Sequence, residues 1–390
     1  ARGATGALAQ DTREHIACCF EGVMAALAPG AADEGGSDRK VIPVRKAKRE
    51  TPEIQLAKHK NHNEKLCEML SEIGIYEKVG GDKTKYKVYE RAVQTLKHLD
   101  HAVESGAEAQ KLNGIGKKIG AKIDEALSTG TIRKLEKQKA DADLQVMRLF
   151  QDISGVGPSA AAKWVKELGI RTLEELKKSN EVSLTHHQKV GLKYFHEFKE
   201  RIPRDEVTAL GNVVERAAQS IDPELVSVVA GSYRRGRPNS GDIDVLLTHP
   251  SYFVKGKNSK AYAAMLDKLV ANLSAEGFLT DHLVNGANKY NGVCILKKAI
   301  GGGKAAHRRI DILLLPWDEW ACGLLYFTGS GFFNVQMRTI ALERGYTLNE
   351  RNIRPIGVTG MIGQPIAVNS EEDIFTILDM EYKTPQDRDL

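Results

Sequence analysis

Gly231-Ser232-Tyr233-Arg234-Arg235-Gly236, followed by Ser240-Gly241-Asp242-Ile243-Asp244-Val245-Leu246-Leu247, is the stretch on which the reading of this chain turns. Residues 243–247 form a short apolar run that suits a buried strand. Asp242 and Asp244 are two apart, so on a strand both carboxylates project from one face while Ile243 and Val245 pack the other. Neighbouring carboxylates repel unless a cation lies between them. Hard Mg2+ suits such oxygen donors, particularly when substrate phosphates complete its shell. A second segment, His307-Arg308-Arg309-Ile310-Asp311-Ile312-Leu313, places Asp311 on another strand, in phase with Arg309. If the two strands are neighbours, three carboxylates converge. That is a donor set for two Mg2+ ions and in-line phosphoryl transfer. Ser232 and Arg235 lie on the glycine-flanked turn, where phosphate oxygens need donors.

Around this stretch the chain changes texture. It has 390 residues, is 42% hydrophobic and carries a net charge of +5, which suits several compact units and excludes a simple basic tail. No apolar run approaches the roughly 20 residues of a membrane span, so no membrane partner is expected. Five cysteines without a CxxC pair read as reduced thiols of an intracellular protein. Residues 1–52 read as an unstructured leader or an address. The cluster Arg39, Lys40, Arg45, Lys46, Lys48 and Arg49 points to the nucleus, with the mitochondrion as the alternative. From about residue 53 to Ile202 the apolar spacing is helical, as in Leu66, Met69, Leu70 and Ile73. After Pro203, short runs at 225–230, 243–247, 292–296 and 310–315 predict a sheet with helices between strands. Gly301-Gly302-Gly303 reads as a hairpin loop. The fold expected is therefore multidomain, an all-α front followed by an α+β second half.

The helical front holds a repeat. Leu112-Asn113-Gly114-Ile115-Gly116 and Ile153-Ser154-Gly155-Val156-Gly157 share one pattern, and an Ala-containing helical stretch follows each. Glycine permits positive φ in the turn, and the helix start then points N–H groups at an anion. Two copies resemble the helix-hairpin-helix module, which holds a DNA backbone without reading sequence. That resemblance implies a monovalent cation, Na+ or K+, on the carbonyls of Leu112, Ile115, Ile153 and Val156.

GSYRRG…SGDIDVLL and RRIDILLLP resemble the nucleotidyltransferase palm of family X DNA polymerases. LLYFTGSGFFNVQMR at 324–338 and the tail RPIGVTGMIGQPIAV resemble the nucleotide-binding subdomain of its beta-type members. The resemblance covers about residues 53–388. It implies a lyase domain at 53–138, a DNA-binding subdomain at 139–202, a palm at 203–315 and a nucleotide-binding subdomain at 316–390. Asp242, Asp244 and Asp311 are then the metal ligands. Asp311 is also the base-like group beside the primer 3′-hydroxyl, with Arg309 restraining its charge. Arg201, Ser232, Arg235 and Gly241 contact the triphosphate. Tyr326 and Phe327 pack beside the sugar, and Gly329 also belongs to the nucleotide-binding set. Asn334 bonds the minor-groove edge of the incoming base, and Arg338 that of the template strand.

In the front, residues 105–125 resemble the lyase domain of the same family. There a lysine forms a Schiff base with a 5′-terminal abasic sugar, and β-elimination follows. The matching position is Lys122, a nucleophile only when neutral. Lys85, Lys118 and Lys134 match the 5′-phosphate pocket, and Tyr89 is a hydrogen-bonding neighbour. Gly114, Gly116, Gly155 and Gly157 contact DNA. The function implied is a monomeric template-directed polymerase filling short gaps in base excision repair. Its partners are gapped or nicked DNA, deoxynucleoside triphosphates and other base-excision-repair proteins. Other nucleotidyltransferases share GS…DxD but not the glycine-turn pair. A terminal transferase lacks the lyase lysine. A lambda-type member is expected to carry a large amino-terminal domain ahead of these elements, which fifty residues do not hold. A DNA-binding scaffold lacks competent acids.

Overall fold

In a computed structural model the chain is described over residues 61–255, 259–298, 300 and 305–389. The leader and the glycine run 301–303 lie outside the described residues. Helices Glu64–Val79 and Lys83–Lys97 form an antiparallel pair. Leu66, Leu70, Ile73 and Tyr76 on the first meet Tyr89, Ala92 and Leu96 on the second, the spacing that puts one apolar face inward. Helix Lys117–Thr129 completes this core with Ile119, Ile123 and Ala126. Each fully buried Leu or Ile among them contributes roughly 1.5–3 kcal/mol. A second core gathers Met147, Phe150, Trp164, Val165 and Phe195, and Val79 from the first helix belongs to it. Helix Glu64–Val79 thus serves both cores.

The palm is a five-stranded mixed sheet ordered β2-β4-β7-β6-β5, where β2 is Val226–Val229, β4 Ile243–Thr248, β5 Leu279–Asn285, β6 Lys289–Cys294 and β7 Arg308–Leu314. A separate two-stranded sheet pairs β1 (Ile202–Pro203) with β3 (Asn239–Ser240). Sequence periodicity reaches four of the five palm strands. It misses β5, whose polar-rich LTDHLVN run has an irregular register against β6. Helices Arg204–Ile221 and Ser259–Ala275 cover one face, burying Val207, Leu210 and Val214 against Ile243, Val245 and Leu247. On the other face Leu246 and Leu313 join Ala230, Leu315 and Trp320.

The last segment folds around helices Trp320–Thr328, Gly331–Glu343 and Glu371–Ile377, with a small ladder of β8 (Tyr346–Leu348) and β9 (Ile353–Pro355). Among the described residues no helix is long and apolar enough to cross a membrane.

Candidate active site

β4 and β7 run parallel as neighbours, with Asp244 directly opposite Asp311. Asp242 precedes β4 in phase with Asp244, so the three acids occupy the sheet face away from the two long helices. Burial pushes the Asp244 carboxyl up to about 7, and the charges of Asp242 and Asp311 add to it. Asp311 is also raised, by burial first, although a hydrogen bond from Asn291 and the charge of Lys289 pull the other way. Asn291 is its direct partner on β6, and Lys289 Nζ lies 4.0 Å from its carboxylate. Arg309 pulls the Asp311 carboxyl down, and it also engages a second acid. Its Nη2 donates to Asp242 at 2.5 Å, and its pull on Asp311 ranks below those of Asn291 and Lys289. From the same strand as Asp311 it reaches across to the residue that precedes β4. The acids therefore hold more negative charge than their neighbours neutralise, an arrangement suited to hard cations.

Gly231 shapes the adjoining turn. It has φ +58°, and a Cβ there would stand 2.3 Å from Asp244 Oδ2. The Ala230 N–H donates to the Asp244 carbonyl at 2.8 Å, locking the turn onto the strand. Ser232 donates its hydroxyl to Ser240 Oγ at 2.9 Å. Arg201 donates to Asn239 Oδ1 at 2.9 Å, and a Cβ on Gly241 would be 3.0 Å from Arg201 Nη1. Arg201, Ser232 and Gly241 thus gather on one side of the acids.

The two arginines of this turn reach the last segment. Arg234 forms a bidentate pair with Glu371 at 2.8 and 3.0 Å and also donates to Thr328 Oγ1. Fully buried Arg388 donates to the same Glu371 at 2.6 Å, stacked among Phe333, Phe375 and Tyr382. These two guanidinium groups hold the Glu371 carboxyl below the usual carboxylate range against the opposing effect of burial. Arg235 donates to the Thr328 carbonyl at 2.6 Å and to Asp389 at 3.0 Å. Sequence reading missed Glu371, Arg388 and Asp389, because partners so distant in sequence leave no local pattern. Tyr326 and Phe327 meet edge to face, Asn334 donates to the Tyr326 carbonyl at 2.8 Å, and Arg338 stacks over the Tyr326 ring. Gly329 adopts φ +66° beside them.

In the helical front, Lys122 donates to the Lys118 carbonyl at 2.9 Å. Partial burial lowers its ammonium pKa, and the charges of Lys134 and Lys118 lower it further. Lys134 and Lys85 both pair with Glu77, at 2.6 and 3.6 Å, and Lys134 lies over the Tyr89 ring. Glu77 is a further residue that sequence spacing did not single out.

Both glycine turns close alike. Ile115 N–H donates to the Leu112 carbonyl and Val156 N–H to that of Ile153, with Gly114 at φ +88° and Gly155 at φ +89°. That is the type II turn, whose third residue favours glycine. Gly116 and Gly157 precede helices, and a Cβ on either would meet nothing within 4 Å. Thr95 from helix Lys83–Lys97 donates to the Asn113 carbonyl in the first turn. His187 and Gln188 bond Ser154 and the Gly155 carbonyl in the second. A different cluster, Asp222, Glu224 and His249, has ligand-like spacing among the described residues. Ser251 N–H donates to His249 Nδ1 at 3.0 Å, so the ring proton is on Nε2, which faces both acids. Its Nε2 lies 3.4 Å from Asp222 and 3.6 Å from Glu224.

Family profiles match in the same order as these units. A helix-hairpin-helix domain matches residues 61–132, and a SAM-like helix-hairpin-helix tandem 106–168. The fingers domain of DNA polymerase lambda matches 148–199. The DNA polymerase beta palm matches 201–317, and the DNA polymerase beta thumb 323–389. The chain belongs to family X of the DNA polymerases. Within that family its named relatives are of the lambda type. DNA polymerase lambda of Rattus norvegicus is 36% identical over 340 residues, covering 84% of this chain and 56% of the relative. That of Arabidopsis thaliana is 33% identical over 345 residues, covering 84% and 62%. The chain thus spans little more than half the length of these relatives. The beta-type expectation, drawn from residues 324–338 and the tail, is corrected accordingly to a lambda-like member of the family.

Proposed function

We propose that this protein is a template-directed DNA polymerase that fills short gaps in base excision repair, with a second, 5′-deoxyribose-phosphate lyase activity. The observation that carries the polymerase reading is the pairing of Asp244 with Asp311 across parallel strands, with Asp242 in phase. Asp242, Asp244 and Asp311 would hold Mg2+, which when bound lowers the pKa of a hydroxyl and offsets phosphate charge. Arg309 keeps Asp242 oriented. Ser232, Arg235, Arg201 and the backbone at Gly241 bind the triphosphate. Tyr326, Phe327 and Gly329 form the floor for the sugar. Asn334 and Arg338, now engaged with Tyr326, turn to the minor-groove edges of the base pair. The two glycine turns hold DNA phosphates through N–H groups at Gly114, Gly116, Gly155 and Gly157, with Na+ or K+ on the turn carbonyls. Lys122, with its lowered pKa, supplies the amine of the Schiff base. Lys85, Lys118, Lys134 and Tyr89 bind the 5′-phosphate. The compartment in this reading is the nucleus, and the protein acts as a monomer.

The test is a duplex with a single-nucleotide gap and a 5′-phosphate, given each deoxynucleotide separately with Mg2+. Only the complementary nucleotide is added by the parent, and Asp311→Ala adds none. Addition irrespective of template would replace this reading with a terminal transferase. Binding without any addition would leave a DNA-binding scaffold.

A further inference from the structure

We propose that Asp389 is a positioning residue for the triphosphate, acting through Arg235; the inference rests on the polymerase reading. Arg235 starts on the palm turn beside Ser232 but is held by the thumb. Its Nε donates to Asp389 Oδ1 at 3.0 Å and its Nη1 to the Thr328 carbonyl at 2.6 Å. The pair is well shielded, with side chains 15% and 17% exposed. The second Asp389 oxygen pairs with Arg237. Among the described residues Nη2 of Arg235 has no hydrogen-bond partner, so the guanidinium is fixed at two nitrogens and keeps one for a phosphate oxygen.

Two consequences follow from this arrangement. An arginine has much rotamer freedom to lose, and fixing it before substrate arrives removes that cost from binding. Two guanidinium groups on one carboxylate also leave a net positive charge, so the site still attracts an anion. Without Asp389, Arg235 and Arg237 repel each other and the fork loses its direction. A carboxylate that merely competed with phosphate would give the opposite result, because its removal would strengthen nucleotide binding.

The experiment uses the full chain on single-nucleotide-gapped DNA with Mg2+ and the complementary deoxynucleotide. It reads kcat and KM, and equilibrium nucleotide binding with a dideoxy-terminated primer. Asp389→Ala is expected to raise KM and the dissociation constant about tenfold while kcat changes less than about threefold. Asp389→Glu restores most of the affinity, and thermal unfolding of each variant checks that the thumb stays folded. Should Asp389→Ala be unstable, Asp389→Asn, which keeps the shape and removes the charge, carries the same expectation. Unchanged or tighter nucleotide binding in a folded variant overturns the proposal, as does a fall in kcat alone. In those cases an active parent leaves the polymerase reading standing. A parent that adds no nucleotide overturns that reading and this one together.

Discussion

Replacing Asp244 by Asn should make the metal-free protein more stable, by an amount that grows with pH. Folding moves this carboxyl from its ordinary 3.8 to about 7, through burial first and then the charges of Asp242 and Asp311. Between those values the folded chain binds more protons than the unfolded one, so stability falls as pH rises from about 4 to about 7 and levels off above. The full penalty is about 4 kcal/mol, and because Asp311 shares the same repulsion part of it stays with that residue. Asn carries no charge and escapes it. The stability gap between Asp244→Asn and parent should therefore widen by about 2–3 kcal/mol from about pH 5 to about pH 8. Urea unfolding in the presence of a chelator measures this. Adding Mg2+ at the higher pH should then stabilise the parent more than the variant. Parallel pH profiles for the two proteins would refute the argument that uncompensated negative charge is stored at this site.

Three further outcomes are expected. Lys122→Ala should abolish borohydride trapping on a 5′-abasic substrate while gap filling persists, and Lys118→Ala should weaken trapping without abolishing it, because it removes one phosphate partner and one charge that lowers the Lys122 pKa. Gly231→Ala should cost about 1–2 kcal/mol from positive φ alone, and gap filling should fall more steeply because the new methyl displaces the Asp244 carboxylate. Arg234→Ala should destabilise the protein by about 3 kcal/mol, read by urea unfolding, because Glu371 is 4% exposed and keeps only one guanidinium partner.

How much of this was legible in sequence follows from how local each signal is. The DxD strand was readable because alternation is a property of neighbours, and Asp311 because its strand carries the same apolar run. The glycine turns were readable because the positive φ they adopt at Gly114 and Gly155 has a residue signature. Their support was not: Thr95, His187 and Gln188 come from separate helices. The same holds at the palm–thumb contact, where Glu371 and Asp389 look like ordinary surface acids until the fold carries Arg234 and Arg235 to them. Arg309 shows the subtler limit, since phase on one strand cannot say which neighbouring carboxylate a long side chain will choose. β5 went unread because neither its apolar content nor its alternation is regular.

The parallel pairing of β4 and β7 also acts as a ruler. Adjacent strands lie about 4.8 Å apart, whatever connects them. The offset between Asp244 and Asp311 is therefore set by backbone hydrogen bonding, and the length of chain between Cys294 and Arg308 does not enter it. Each doubling of such a connection costs only about 0.6 kcal/mol in closure entropy. The distance on which the chemistry depends is thus held by the ladder itself, so what fixes it is the pairing of two strands and not the path the chain takes between them.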